Sequence, residues 1–287
     1  MRMRHGRIIG GFGAGMIFLL CLPSLLSQTV EAKVTYSLVH SRIDVTEPVV
    51  LKLEFANLTD ESLELNLGWD SEDRIYFTRQ GPSGRMEIHQ PPPTTFDQIS
   101  RFGEVDIAPK GTRTQEIVLS QWAPFDTPGD YTIEIHIRGL LGLKAPDSLQ
   151  VQTEAVSLTV ESNAGSLVQQ HCAEEWKHLK DAHDGGEAME AALFLGNVTS
   201  PLAVPFMSAA LDTEHATAIG GILISGLERI GNKSAVQVLA KALSGKNSQN
   251  AQAAHEALSR VVLQSPVPEV AREARVALDT PEEISKP

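Results

Sequence analysis

The chain has 287 residues, 42% of them hydrophobic, and a formal net charge of −12. That length accommodates two domains with well-buried cores, and the composition excludes both a disordered chain and a polytopic membrane protein. The negative balance repels nucleic acid and anionic lipid, so neither is expected as a partner.

Residues 1–32 read as a secretory signal peptide. Arg2, Arg4 and Arg7 stand without an acid, residues 8–26 are almost wholly apolar, and Val30-Glu31-Ala32 supplies small residues at the −3 and −1 positions. The expected cut follows Ala32, so Lys33 begins a mature chain that is periplasmic or extracellular. The alternative is an uncleaved anchor at residues 8–26, which approach spanning length. Gly10, Gly11, Gly13, Gly15 and Pro23 weaken that helix, and Leu20 is too large to precede a lipoprotein cysteine at Cys21. Loss of Arg2, Arg4, Arg7 and Glu31 takes the net charge from −12 to −14. It also leaves Cys172 as the one cysteine, so no internal disulfide is expected.

Residues 33–162 are predicted to form a β domain. Residues 34–45 are extended, and Val49, Leu51, Leu53 and Phe55 alternate onto one face. The turn chemistry of Asn57-Leu58-Thr59-Asp60-Glu61 leads to a strand with Leu63, Leu65 and Leu67 on one side. Gly81-Pro82-Ser83-Gly84 between Ile75-Tyr76-Phe77 and Met86-Glu87-Ile88 signals a hairpin. After an irregular stretch from Pro91-Pro92-Pro93 to about Gly103, strands are expected at 105–107, 112–119, 132–137 and 149–160. Seven to nine short strands with turns every eight to twelve residues point to an Ig-like antiparallel β-sandwich. Pro128-Gly129-Asp130-Tyr131 supplies a bend and a tyrosine hydroxyl able to fix a corner between sheets.

The strand at 50–55 with Asn57 and Leu63–Leu67, then Tyr76-Phe77, Gly84-Arg85, Ala108-Pro109-Lys110-Gly111 and Pro128-Gly129-Asp130-Tyr131-Thr132, resembles the bacterial intracellular-proteinase-inhibitor type of Ig-like domain. The likeness covers about residues 45–138. It implies the sandwich fold and, as an activity, proteinase inhibition through loops 91–102 or 121–126.

Residues 163–280 carry a helical repeat. Ala203-Val204-Pro205-Phe206-Met207-Ser208-Ala209-Ala210-Leu211 returns 32 residues later as Ala235-Val236-Gln237-Val238-Leu239-Ala240-Lys241-Ala242-Leu243. Each copy follows a Gly-Asn step, Gly196-Asn197 and Gly231-Asn232. A period of this size, built of two helices and two breaks, is that of a short α-solenoid. One helix is predicted at 166–183. Three pairs follow: 187–195 with 201–211, 214–230 with 234–243, and 251–263 with 268–278. Pro201 and Pro268 suit helix starts, and Gly196, Gly231 and Gly245 suit helix ends. Small residues (Ala191, Ala192, Ala209, Ala210, Gly220, Gly221, Gly226) let neighbouring helices approach closely.

The run from Ala192-Leu193-Phe194-Leu195-Gly196 to Ala210-Leu211-Asp212, with Gly226-Leu227-Glu228-Arg229-Ile230-Gly231 and Glu256-Ala257-Leu258, resembles HEAT-like repeats of the phycobilisome-lyase type over about residues 185–278. The arginine expected early in the next helix is missing after Asp212, where His215 and Ala216 stand. Only Val270-Ala271-Arg272 keeps something like it. Residues 281–287 read as a polar tail. The expected fold class is therefore α+β, a sandwich followed by a short solenoid.

No nucleophile elbow, P-loop, dinucleotide glycine turn, His-Glu-x-x-His or Cys-x-x-Cys occurs. No enzyme and no cofactor are expected. The densest chemical cluster is His171, Cys172, Glu174, Glu175, His178 and His183. His171, Glu175 and His178 share a helix face at i, i+4 and i+7. With no second ligand pair visible, this face is expected to be solvated, opposite a packing face of Cys172 and Trp176, and no metal is assigned. Asp70, Glu72 and Asp73 after Trp69 read as a solvated acidic turn rather than a calcium site. The triplets beginning at Asn57, Asn197 and Asn232 match the glycosylation signal, which arises often by chance.

Large side chains in irregular segments are the candidate partner-binding residues: Phe96, Arg101 and Phe102 in one loop, Trp122 and Phe125 in another. The commoner role for such aromatics, and the one that ranks first, is to plug the sandwich end. The expected function is an exported, non-enzymatic protein–protein interaction or scaffold protein with an unidentified protein partner. Proteinase inhibition is the alternative. A metal-dependent enzyme or lyase is the third reading, from the histidine cluster and the name of the repeat family.

Overall fold

A computed structural model of the chain describes residues 30–66, 75–89, 104–137, 149–153 and 155–280. The leader expected at the N-terminus, the acidic turn at 70–73, the loop carrying Phe96, Arg101 and Phe102, and the polar tail lie outside the described residues. The architecture is α+β, with strands in the first half and seven α-helices in the second among the described residues.

Alternation of apolar residues builds the first half. β1 (Ala32–Leu38), β3 (Val50–Asn57) and β8 (Thr112–Val118) join β10 (Leu149–Val151) in a sheet of order β10-β1-β3-β8. The second sheet has the order β2-β11-β9-β5-β6, from β2 (Arg42–Asp44), β5 (Ile75–Gly81), β6 (Gly84–His89), β9 (Gly129–Ile137) and β11 (Val156–Glu161). β4 (Leu63–Asn66) and β7 (Glu104–Ile107) make a separate ribbon. Pairing is antiparallel except for β1 with β10 and β2 with β11. The run expected as one last strand, 149–160, is two strands in different sheets. Val34, Leu51, Leu53, Phe55 and Ile117 from one sheet meet Ile43, Phe77, Ile88, Ile133 and Leu158 from the other in one apolar core.

The hairpin and corner form as their residues dictate. Tyr131 donates its hydroxyl to the Thr127 carbonyl at 2.6 Å. Gly129, at φ 144°, lies where a Cβ would strike Pro82 Cγ at 2.4 Å, so a side chain is excluded there. β1 begins at Ala32, which is fully buried, and the Glu31 carbonyl accepts the Leu58 amide at 2.8 Å. The sandwich thus engages residues on the leader side of the expected cut.

The second half contains α1 (Gly165–Asp181), α2 (Gly185–Asn197), α3 (Val204–Leu211), α4 (Ala216–Ile230), α5 (Lys233–Leu243), α6 (Ser248–Gln264) and α7 (Pro268–Asp279). A 3-10 turn, Pro201–Ala203, leads into α3. Asp184, Asn232 and Asn247 cap α2, α5 and α6 with side-chain oxygens on early amides. Gly231 closes α4 in the left-handed conformation, as expected of a helix-end glycine. Gly196 instead lies within α2. A Cβ there would meet Ile222 Cγ2 at 2.5 Å, and one on Gly226 would meet the Gly196 carbonyl oxygen at 2.5 Å. These two glycines let α2 and α4 touch backbone to backbone. Gly221, with nothing within 4 Å of such a Cβ, plays no such part. Alternate helices pack together, α2 on α4 and α4 on α6, with α3 on α5 and α5 on α7.

The halves join through one face of the first sheet. Val50 and Val118 are register partners on β3 and β8. They point away from the sandwich interior and are buried in the helical core. The Thr199 amide donates to the Thr46 carbonyl at 2.8 Å, and Gln121 Nε2 to Asn197 Oδ1 at 2.8 Å.

Candidate functional site

The turn after β2 organises the junction. Asp44 Oδ1 accepts the Thr46 amide at 2.9 Å and its hydroxyl at 2.7 Å. Its Oδ2 accepts the Ala164 amide, at the start of α1, at 2.7 Å. Burial pushes the Asp44 carboxyl upward, but the bonds from Thr46 and Ala164 outweigh it and hold it below the ordinary aspartate range. Glu47 folds back so that Oε2 accepts the Asp44 amide at 2.7 Å. A fully buried carboxylate is thereby aimed at α1.

On α1, two residues of the face expected to be solvated, His171 and Glu175, are buried, while His178 is exposed as expected. His171 Nδ1 lies 2.8 Å from Glu47 Oε1, and both side chains are within the protein. His40, in the link between β1 and β2, stacks on His171 with ring centroids 3.8 Å apart and planes 13° from parallel. Phe194 of α2 meets both rings edge-on. Glu175, its side chain 6% exposed, holds Oε2 at 3.3 Å from His178 Nδ1. Its Oε1 is 3.2 Å from His40 Nε2, yet neither of these buried atoms makes a hydrogen bond. His40, His171 and Glu174 each place one ligand-type atom within 4.8 Å of the others.

The solvated-face expectation fails for His171 and Glu175 because α1 is covered on two sides there. Cys172, Leu179 and the half-buried Trp176 pack into the helices as expected, while His171 and Glu175 face the sandwich. The second pair of polar groups missing from the sequence reading is His40 and Glu47. The sequence offered no sign of them: Glu47 and His171 are 124 positions apart, and neither His40 nor Glu47 falls in a motif.

Acid accumulates around this junction. Glu116 of β8 is pushed up to about 7 by burial and by the nearby charges of Glu190 and Glu175, against a lowering by Lys52. Cys172 is pushed up to about 12, first by burial and then by Glu47 and Glu175, so it is a neutral thiol rather than a nucleophile. It is free and buried.

Two of the candidate partner-binding residues are described. Phe125, 5% exposed, lies against Tyr131, with the Arg79 guanidinium 5.2 Å over its ring. Trp122, half-buried, packs against Phe77. Both plug the sandwich end, and Phe125 presents almost no accessible surface to a partner. Asn57 is buried, its amide on the Glu61, Ile107 and Ala108 carbonyls, while Asn197 bonds Gln121 and Asn232 caps a helix. These duties account for all three of the glycosylation-like asparagines. A cleft of about 290 Å³ between α3, α4, α5 and α6 is lined by groups that pair with one another, Lys241 with Asp212 at 2.6 Å and Asn247 with Thr217 at 2.8 Å. No helix among the described residues is long and apolar enough to cross a membrane.

No family profile and no curated protein matches the sequence. Among solved structures, the CARDB domain of the PF1109 protein from Pyrococcus furiosus, solved in complex with di-metal ions, aligns at 10% identity and a TM-score of 0.27, over 47% of this chain and 97% of that one. A β-glucosidase from Listeria innocua aligns at 11% identity and a TM-score of 0.27, over 46% of this chain. This chain spans 16% of the glucosidase. Likenesses of this size carry no argument about ligand or activity.

Proposed function

We propose that this is an exported, non-enzymatic interaction protein that binds a protein partner, with the helices acting as a HEAT-like solenoid beside an Ig-like sandwich. The observation that carries the reading is the end of the helical array. Leu263 is 82% exposed, Val276 60% and Val267 47%, all in or between the last two helices. Large apolar side chains left uncovered at the end of stacked helices are what a further element or a partner covers. The alternate packing of α2, α4 and α6 beside α3, α5 and α7 supports the solenoid reading, as does the repeat in sequence.

The test is affinity capture from the native envelope fraction with the wild-type chain and with a Leu263→Glu, Val276→Glu variant. A discrete partner retained by the first and lost with the second is the expected result. Equal retention by both would remove the surface from consideration, and no specific retention by either would remove the function.

A further inference from the structure

We propose that the junction between the sandwich and α1 is a binding site for a divalent transition-metal ion of zinc type, with His40, His171, Glu174 and Glu175 as its ligands. The donor set comes from two parts of the chain, the β1–β2 link and one turn of α1, so an ion here also ties the two halves together.

The first argument is the pair of atoms left over. Buried polar atoms are almost always hydrogen-bonded, yet His40 Nε2 and Glu175 Oε1 are both buried without a bond while lying 3.2 Å apart. The other oxygen of the acid has a duty, since Oε2 of Glu175 faces His178 Nδ1. His40 Nε2 and Glu175 Oε1 face each other as an ion pair but lack the alignment of a hydrogen bond. Ligand atoms about 2.0–2.1 Å from a tetrahedral zinc lie about 3.3 Å from each other. The observed 3.2 Å is close to that span, which the two donors regain once His40 has turned toward the ion.

The second argument is how the other donors are held. Glu47 accepts on one oxygen from the Asp44 amide, and the other is the partner of His171 Nδ1. With the Nδ1 proton committed to Glu47, the lone pair of His171 is on Nε2, which is the carboxylate–histidine arrangement that orients a metal-binding imidazole. Glu174 accepts from Gln170 Nε2 at 2.9 Å on Oε1 and is exposed, so it supplies both a ligand and an entry side. Two imidazoles with carboxylate oxygens suit zinc and its neighbours rather than magnesium or calcium, which take oxygen donors. The parallel stack sets a requirement. One ion cannot lie in the planes of two rings stacked 3.8 Å apart, so His40 must turn out of the stack as the ion enters. That turn is a rotation of the His40 side chain, since Val39 and Ser41 on either side are held by backbone bonds to Val50 and Thr159 at 3.0 and 2.9 Å.

The experiment is titration of the purified protein with ZnCl2 alone, followed by calorimetry and thermal unfolding, with Co2+ as a spectroscopic substitute. One equivalent is expected to bind at micromolar or lower concentration, to raise the melting temperature by mass action, and to give Co2+ ligand-field bands in the visible. His40→Phe keeps a ring on His171 but no donor. It and Glu175→Gln are expected to keep their circular dichroism and lose affinity at least tenfold. Glu47→Gln is expected to weaken binding about 10- to 100-fold as an orienting residue. His255→Ala, on an exposed face of α6, is the control and is expected to change nothing. Absence of zinc binding at micromolar metal would overturn the proposal. So would binding that survives both His40→Phe and Glu175→Gln.

Discussion

The sandwich interior and the junction with α1 are equally buried and are built on opposite plans. The interior is filled by Phe55, Phe77, Ile88 and Ile133, each fully or almost fully buried, on strands whose period of two aims them inward. The junction buries Asp44, Glu47, His171 and Glu175, charged or polar groups that are tolerated only because most of their atoms are paired. An apolar core accepts many sequences of the right size. A polar one accepts few, because every atom needs its partner.

Paired substitutions put that contrast to the test. Phe77→Ala is expected to cost about 3–5 kcal/mol by emptying the space between the sheets, with little dependence on pH. Glu47→Ala is expected to cost a similar amount, about 3–5 kcal/mol, because it strands His171 and the Asp44 amide in the interior. Urea unfolding of both variants measures this, and a Glu47→Ala penalty below 1 kcal/mol would mean that the junction is not a second core. Gly226→Ala is next, at about 1–3 kcal/mol, since its methyl would press on the Gly196 carbonyl and force α4 from α2.

A smaller effect, and one confined to a pH window, is expected from Glu116. Its folded-state value of about 7 lies above the ordinary 4.5, so the folded chain holds the proton more tightly than the unfolded one. Stability from this group is complete below pH 4.5 and is lost as pH rises to 7. Glu116→Gln should therefore be more stable than wild type at pH 8, by about 1–3 kcal/mol, and no more stable at pH 4. A difference that persists unchanged at pH 4 would refute this account. The smallest change expected is Tyr131→Phe, about 1 kcal/mol from the lost bond to the Thr127 carbonyl, read as a shift in urea midpoint at constant slope.

Much of the fold was legible in the residues because local spacing decides it. Val49, Leu51, Leu53 and Phe55 alternate and are all buried. Glycine pairs mark the hairpin, Gly231 ends a helix, and Asn232 begins one. Less legible was the division of residues 149–160 into β10 and β11, since two short strands bound for different sheets read as one apolar-alternating run. The aromatics Trp122 and Phe125 read in sequence as plugs of the sandwich end or as loop anchors, with plugging the commoner role. Only the position of Arg79 and Tyr131 shows that the sandwich end is closed by them.

The sequence by itself determined the class of each half, because helix and strand periods are properties of neighbours along the chain. It also determined that His171, Glu175 and His178 share one face of α1. The tertiary structure alone decided what that face meets. His40 and Glu47 arrive from a link and a turn more than a hundred residues away, and their meeting depends on Val50 and Val118 docking the first sheet against the helices. A burial decision of that kind is made by packing between elements, which no local pattern records.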